Sequence, residues 1–321
     1  MILAGDLGGT KSNLGLFDVQ NDKLVQTAFK RYASQQHKGL PEMIRDFLAE
    51  NPQKITAAAF GIAGPVVNNS VHSAANIPWG VDGAEIESLL GIKFVRLLND
   101  LEAMGYGVKV LKPNELETIH PGVPEPDATQ VVLAAGTGLG EAILLWDGER
   151  HRSMATEGGH ADFAPQTDQQ ADLWKFLKAR NEYASCEQIL SGRGFQHLHE
   201  FLNPNVRHPG FDDGSEDPAP EITRQALEGT CPVCVAAMDL WVEIYGSEAG
   251  NFAIRALARG GIYVGGGIAV KVLPKLKNGK FAAAAARKEK MTDFLAQVPI
   301  YVILNEECPL LGAAYAAWKS F

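Results

Sequence analysis

The stretch Leu3-Ala4-Gly5-Asp6-Leu7-Gly8-Gly9-Thr10-Lys11-Ser12-Asn13 constrains the fold more than any other part of the 321-residue chain. The apolar run Ile2 to Ala4 reads as a buried strand, and Asn13 to Asp18 reads as a second. Between them stand two adjacent glycines. Glycine reaches φ > 0 at little steric cost and lets backbone N–H groups close on a ligand, so such a turn can form an anion-binding nest. Asp6, ending the first strand, is placed to hold Mg²⁺ or its water shell against bound phosphates. The turn departs from a Walker loop in two ways. Thr10 stands where the last glycine before the lysine belongs, and a strand follows where a Walker loop opens a helix. A plain hairpin would use the same two glycines, so the stretch fixes topology before it fixes chemistry.

An alternation of elements follows. Lys23 to Tyr32 supplies a third strand, and Leu40, Ile44, Phe47 and Leu48 fall at helical spacing with Pro41 near the start. Thr56 to Ile62 is a short apolar strand. Asp82 with Glu85 has the pattern of a capping box, and Gly91 suits the stop of that helix. Phe94 to Leu98 is another buried strand, delivering Asn99-Asp100 to a helix over Leu101 to Tyr106. From Gln130 the opening pattern returns: strand Val131 to Ala135, turn Gly136-Thr137-Gly138-Leu139-Gly140, strand Ala142 to Trp146. Gly138 follows Gly9, and Asp147 follows Asp18, by one offset (138 − 9 = 147 − 18 = 129). This weak internal duplication predicts two related α/β lobes facing a shared cleft, each offering one phosphate loop.

The remainder predicts a helix near Asp172 to Arg180, and Ser185 as the N-cap of a helix carrying Glu187. Asn203 to Pro220, with Asp212, Asp213, Glu216 and Asp217, reads as an exposed loop. A long helix over Pro232 to Arg259 leads to the strand Gly260 to Val264 and a third glycine turn, Gly265-Gly266-Gly267-Ile268, which opens a helix. Val298 to Leu304 is a late strand and Leu310 to Trp318 a closing helix. The expected division is a small lobe, 1–110, to which 301–321 return, and a large lobe, 111–300.

Charge and cysteine content exclude several classes. A net charge of −9 speaks against a general nucleic-acid partner and an anionic membrane surface. The basic residues Lys271, Lys275, Lys277, Lys280, Arg287, Lys288 and Lys290 read as a solvated face. Four scattered cysteines do not make a disulfide scaffold for a chain of this size. Met1-Ile2-Leu3-Ala4 meets Gly5-Asp6 at once, without a leader, and no apolar run is long enough to span a bilayer. The expectation is a reduced, cytoplasmic protein.

Two constellations point to chemistry. Asn99-Asp100 lies where a strand ends and a helix begins, the place where α/β proteins bind ligands. Asp100 is there a candidate general base and Asn99 an orienting group, while plain N-capping would use the same pair. The helix N-terminus favours a negative charge, which predicts an ionised Asp100. Glu157-Gly158-Gly159-His160 joins a carboxylate and an imidazole on a glycine-rich loop, which suits a polyol better than a metal. Cys231-Pro232-Val233-Cys234 has the spacing of half a zinc site, but no second pair exists, so the two thiols read as packing residues and no metal ligand is expected in the protein.

Over essentially its whole length the chain resembles the bacterial ATP-dependent glucokinases, a hexokinase-like group in the actin, sugar-kinase and Hsp70 superfamily. The resemblance rests on Asp6-Leu7-Gly8-Gly9-Thr10, Leu98-Asn99-Asp100, Gly136 to Gly140, Glu157-Gly158-Gly159-His160 and Gly265-Gly266-Gly267-Ile268. It implies a two-lobed actin-like ATPase fold of ribonuclease H-like lobes. It implies transfer of the γ-phosphate of ATP, carried with Mg²⁺, to the 6-hydroxyl of D-glucose. The catalytic residue would be Asp100. Asn99, Glu157, His160 and Glu187 would hold the sugar with it, Glu187 being matched by position. Asp6, Gly8, Gly9, Thr10, Lys11, Ser12, Asn13, Thr137 and Gly138 would wrap the phosphates, with Gly265, Gly266 and Gly267 against the adenosine. A homodimer is also implied. The ROK kinases, which are similar, carry a cysteine-rich zinc motif after their Glu-x-Gly-His, and here Gln166 to Tyr183 contains no cysteine. Alternatives are a kinase for another hexose or one using polyphosphate, an ATPase that moves partners, and a non-catalytic sugar sensor. The sensor would need a helix-turn-helix ahead of the first strand.

Overall fold

Residues on β1 (Ile2–Leu7) alternate between two apolar layers, which makes it a central strand covered on both faces. β2 (Lys11–Gln20) and β3 (Lys23–Ala33) add to it antiparallel, while β4 (Ala57–Ile62) and, beyond a short pair β5 (Ser70–Val71) and β6 (Val81–Asp82), β7 (Val95–Asn99) add in parallel. The sheet order is β3-β2-β1-β4-β7. This computed structural model describes residues 1–72, 77–205 and 217–319.

The second sheet is built from β8 (Leu116–His120), β9 (Gln130–Ala135), β10 (Leu139–Trp146), β11 (His151–Thr156), β12 (Gly261–Gly265) and β13 (Ile300–Ile303), in the order β11-β10-β9-β12-β13-β8. From β11 to β13 it repeats the first sheet's pairings, two antiparallel joints followed by two parallel ones. The duplication therefore extends beyond the hairpins to whole sheets, with β8 as an added antiparallel edge. The offset of 129 aligns the glycines but not the pairing. Residues 8–11 lie between the closing pair Leu7 and Ser12, and only 136–138 lie between Ala135 and Leu139.

Helices α1 (Leu40–Glu50) and α2 (Gly83–Leu90) cover one face of the first sheet with Leu40, Ile44, Phe47 and Ile86. Asp82 caps α2 by accepting the Ala84 N–H, and Gly91 ends it in the left-handed region at φ 65°. α3 (Asp100–Val108) lies between the sheets. Its Ala103 and Tyr106 pack with Ala57, Ala59 and Leu98 of the first sheet, and its Leu101 and Val108 with Val132, Ala142 and Leu144 of the second. The second sheet's other face carries α4 (Asp168–Asn181), α5 (Gly192–Leu202), α6 (Ala219–Glu228) and the long α7 (Pro232–Ala256). The short helices α8 (Gly266–Lys271), α9 (Leu273–Leu276), α10 (Lys280–Ala286) and α11 (Thr292–Leu295) follow. α12 (Cys308–Trp318) then returns to β1, β4 and α3. Its approach to α3 is backbone on backbone: a Cβ on Gly312 would fall 1.7 Å from the Ala103 carbonyl oxygen.

Several local expectations change. Ser185 caps no helix; it bridges to Asp162, and Glu187 sits in the turn before α5. α7 stops at Ala256 because Leu257 turns into the left-handed region at φ 47°. The boundary expected at 300/301 cuts β13, which belongs to the second sheet, so the return to the first begins after Ile303. Of the acidic loop expected over Asn203 to Pro220, Asp212, Asp213 and Glu216 lie outside the described residues, and its end is already the start of α6. The basic cluster is paired in part, with Lys275 and Lys280 on Asp239 and Arg287 on Glu243. All four cysteines are free thiols.

Candidate active site

Parallel pairing places the carboxyl ends of β1, β4 and β7 side by side: Asp6 is opposite Gly61, and Asn99 opposite Ile62. Gly61 holds the row close, since a Cβ there would fall 2.8 Å from the Ala103 Cβ and 3.8 Å from the Asp100 Cα. The capping role goes to Asn99. Its Oδ1 accepts the Leu101 N–H at 2.9 Å and the Glu102 N–H at 3.4 Å, and its amide donates to the Gly64 carbonyl at 3.3 Å. Asp100 is half-buried and accepts the Leu101 N–H at 2.9 Å. Burial raises its pKa above the usual carboxylate value, and the Glu157 charge adds to the effect. Desolvation outweighs the Leu101 N–H and so opposes the ionised form that the helix terminus favours. Asp6 is pushed up to about 6, first by burial and then by the Asp100 charge, against the Asn13 amide and Arg31. Arg31 donates to the Asn13 oxygen at 2.9 Å, and Asn13 donates to Asp6 at 3.3 Å.

The first glycine turn is braced by residues that its own sequence does not reveal. Ser34 donates its hydroxyl to the Gly8 carbonyl at 2.6 Å and its N–H to Thr10, and Gln35 donates to Gly9 at 3.0 Å. With these carbonyls tied back, Thr10 and Lys11 stay exposed. Ser12 is fully buried against the Ser34 hydroxyl, and Asn13 is turned to Asp6.

The second turn is tied to the Glu157-Gly158-Gly159-His160 loop. Glu187 accepts the Leu139 N–H at 3.0 Å, its own N–H donates to the Gly159 carbonyl at 2.8 Å, and its carboxylate lies 3.9 Å from His160 Nδ1. His160 Nε2 lies 3.8 Å from Glu157. Glu157 and His160 are 65% and 62% exposed, so their polar atoms are open to a ligand. Asp100, Glu157, His160 and Glu187 thus come together from both halves of the duplication. Beside them Gly136 and Thr137, the start of α5 (Gly192, Arg193), α6 (Pro218 to Leu227) and Ile268 with Lys271 line a cavity of about 820 Å³. Gly265, Gly266 and Gly267 lead into Ile268 at its rim. The α5 and α6 walls of this cavity are elements the sequence reading missed. Their one visible signal is the further glycine turn Ser191-Gly192-Arg193-Gly194.

Beneath the Glu157 loop, Glu141 on β10 is fully buried with neither carboxyl oxygen hydrogen-bonded. Burial, then the Glu248 charge, pushes it up to about 8. The folded state therefore keeps a proton that the unfolded chain releases near 4.5, and stability present below that pH is lost as pH rises towards 8. We expect Glu141→Gln to flatten this dependence. Urea unfolding at pH 5 and pH 8 should show wild type losing about 4 kcal/mol more than the variant. Equal losses would place the proton elsewhere.

A family model described as Glucokinase matches residues 3–320. A glucokinase of Nostoc sp. is 35% identical over 338 residues, covering 99% of this chain and 98% of that one. A crystal structure of glucokinase from an Antarctic psychrotroph superposes with a TM-score of 0.88 at 28% identity, covering 99% and 98% of the two chains. A ROK family glucokinase from Streptomyces griseus, solved with glucose and AMPPNP, superposes at 0.67 with 20% identity, covers 99% of both chains, and attests the fold alone. The architecture is the two-lobed actin-like ATPase fold of these sugar kinases.

Proposed function

The chain belongs to the glucokinase family, a sugar kinase that phosphorylates glucose, and we propose that Asp100 is the general base of that transfer. The observation that carries this reading is the division of labour at the start of α3: Asn99 caps the helix, which leaves the Asp100 carboxylate for another partner. In the reaction the sugar 6-hydroxyl oxygen forms a bond to the γ-phosphorus of ATP while the bond from that phosphorus to the ADP oxygen breaks. The hydroxyl proton passes to Asp100. Asn99, Glu157, His160 and Glu187 hold the sugar, whose hydroxyls need donors and acceptors in fixed directions. The two glycine turns receive the phosphates, and the cavity between α5, α6 and Ile268 takes the nucleoside.

A hard divalent cation fits the donor set at Asp6. Its oxygens are withdrawn from water beside a second carboxylate, a concentration of negative charge that such an ion relieves. Mg²⁺ held there would neutralise phosphate charge.

Four tests follow from this reading. Glucose should outcompete other hexoses in a coupled assay, and ATP should outperform ADP and polyphosphate as donor. Glu157→Gln and His160→Ala should each raise the glucose KM by roughly 10–100-fold, the cost of leaving a bound sugar hydroxyl without its partner. Wild-type KM in both variants would move the sugar site elsewhere. We also place the enzyme in the cytoplasm as a homodimer, with lobes 1–110 plus the C-terminal return and 111–303. Among the described residues no helix is long and apolar enough to cross a membrane. Sedimentation equilibrium should give twice the 34.6 kDa chain mass.

A further inference from the structure

Cys231 and Cys234 do not stand alone. Their Sγ atoms and a ring nitrogen of His199, from the last turn of α5, lie within 4.8 Å of one another. The third group is 32 positions upstream of the pair (231 − 199 = 32), which is why the Cys-Pro-Val-Cys spacing had read as mere packing. We propose that these three side chains form a binding site for a thiophilic divalent cation of the zinc class.

The local fold is built for convergence. Cys231 is the N-cap of α7, and its sulfur accepts the Cys234 N–H at 3.5 Å, which turns the two sulfur-bearing residues towards each other. Pro232 fixes the first turn and sets Cys234 one turn further along the same face. α5 is held against α7 by the stacked rings of Phe195 and Trp241, 5.0 Å apart, which fixes the height of His199 beside the pair. Four-coordinate zinc, with bonds of about 2.3 Å to sulfur and 2.0 Å to nitrogen, spaces its ligands by roughly 3.3–3.8 Å, so closing on an ion needs movements of about 1 Å. Two thiols and an imidazole select zinc over magnesium or calcium, which want oxygen. An imidazole can be oriented through one nitrogen while the other ligates.

Cys234 and His199 are buried and Cys231 half-buried, so the fourth position falls on the Cys231 side, to water. The carboxylate near Cys234 is Glu221, engaged by Arg224 and Gln225. Binding exchanges the two thiol protons for the metal and releases both to solvent, with no change of oxidation state. The ion would pin α5 to α7 behind the wall that presents Arg193 and Phe195 to the large cavity. The site does not depend on the sugar and phosphate assignments.

Cobalt(II) tests it in full-length protein that has been stripped with chelator and kept reduced. We expect one equivalent to bind, with near-ultraviolet thiolate charge-transfer absorption and the strong visible bands of a four-coordinate ion, and stoichiometric zinc to displace it. Zinc should also raise Tm, because it binds the folded state. Cys231→Ser, Cys234→Ser and His199→Gln should each weaken binding by roughly 100-fold or more, while Cys186→Ser leaves it unchanged. If Cys234→Ser fails to fold, Cys231→Ser decides, since serine is a preferred N-cap. No bound cobalt, weak six-coordinate bands, or undiminished binding in Cys231→Ser would overturn the proposal.

Discussion

Asp100→Asn leaves a folded protein whose kcat has dropped by roughly 10²–10⁴-fold, the usual contribution of a positioned base. The helix start survives because Asn99 accepts the N–H groups of Leu101 and Glu102. The new amide oxygen can still take the Leu101 N–H that Asp100 accepts at 2.9 Å. What disappears is the oxygen that receives a proton. Circular dichroism and the KM for ATP should therefore match wild type while turnover collapses. The wild-type pH profile carries a second mark. A base works only when deprotonated, and burial raises the Asp100 pKa, so kcat should fall on acidification at a higher pH than for an exposed aspartate. Near-normal turnover in a folded Asp100→Asn protein would remove Asp100 from the mechanism.

The second large effect is on stability. Gly312→Ala sets a methyl 1.7 Å from the Ala103 carbonyl oxygen, and neither party is a side chain that can swing away. α12 must move off α3, opening the layer of Ala57, Ala59, Leu98 and Ala313. Overpacking of this kind costs about 3 kcal/mol, a fall in Tm of roughly 6–12 °C. Gly267→Ala is the control, because a Cβ there meets open space. Equal Tm values for the two variants would mean that the helices part without cost.

The strand–glycine–strand units were legible because apolar runs ending in glycine leave a local signature, and the two sheets do repeat one pairing scheme. Asn99-Asp100 was legible as a pair, but which residue caps and which stays available depends on side-chain geometry. Ser34 and Gln35 were invisible, since nothing local marks a residue that braces a turn 26 positions earlier. The same holds for His199 beside Cys231 and Cys234, and for Glu187, whose partners Leu139, Gly159 and His160 come from two other segments. Direct readings failed where one conformation overrode a pattern: Leu257 ended α7 early, and Ser185 paired with Asp162 instead of capping.

The packing of α12 against α3 also sets the order in which the molecule can assemble. The Cys308 thiol meets the Met104 carbonyl at 3.5 Å across 204 positions of sequence. Closing a loop of that length carries a large entropic cost before any contact repays it, and long-range contacts form slowly. The second sheet draws its strands from a contiguous segment and needs nothing later than β13. The first sheet has all its strands by Asn99, yet over Ala4, Ala57 and Ala59 only Ala103 and Tyr106 of α3 are in place until α12 arrives. During synthesis the chain therefore carries an apolar face that α3 hides only in part. A late-forming unit of this kind is where chaperones bind and where refolding chains aggregate. The helix that begins at Asp100 thus gains its α12 partner only when that late segment docks.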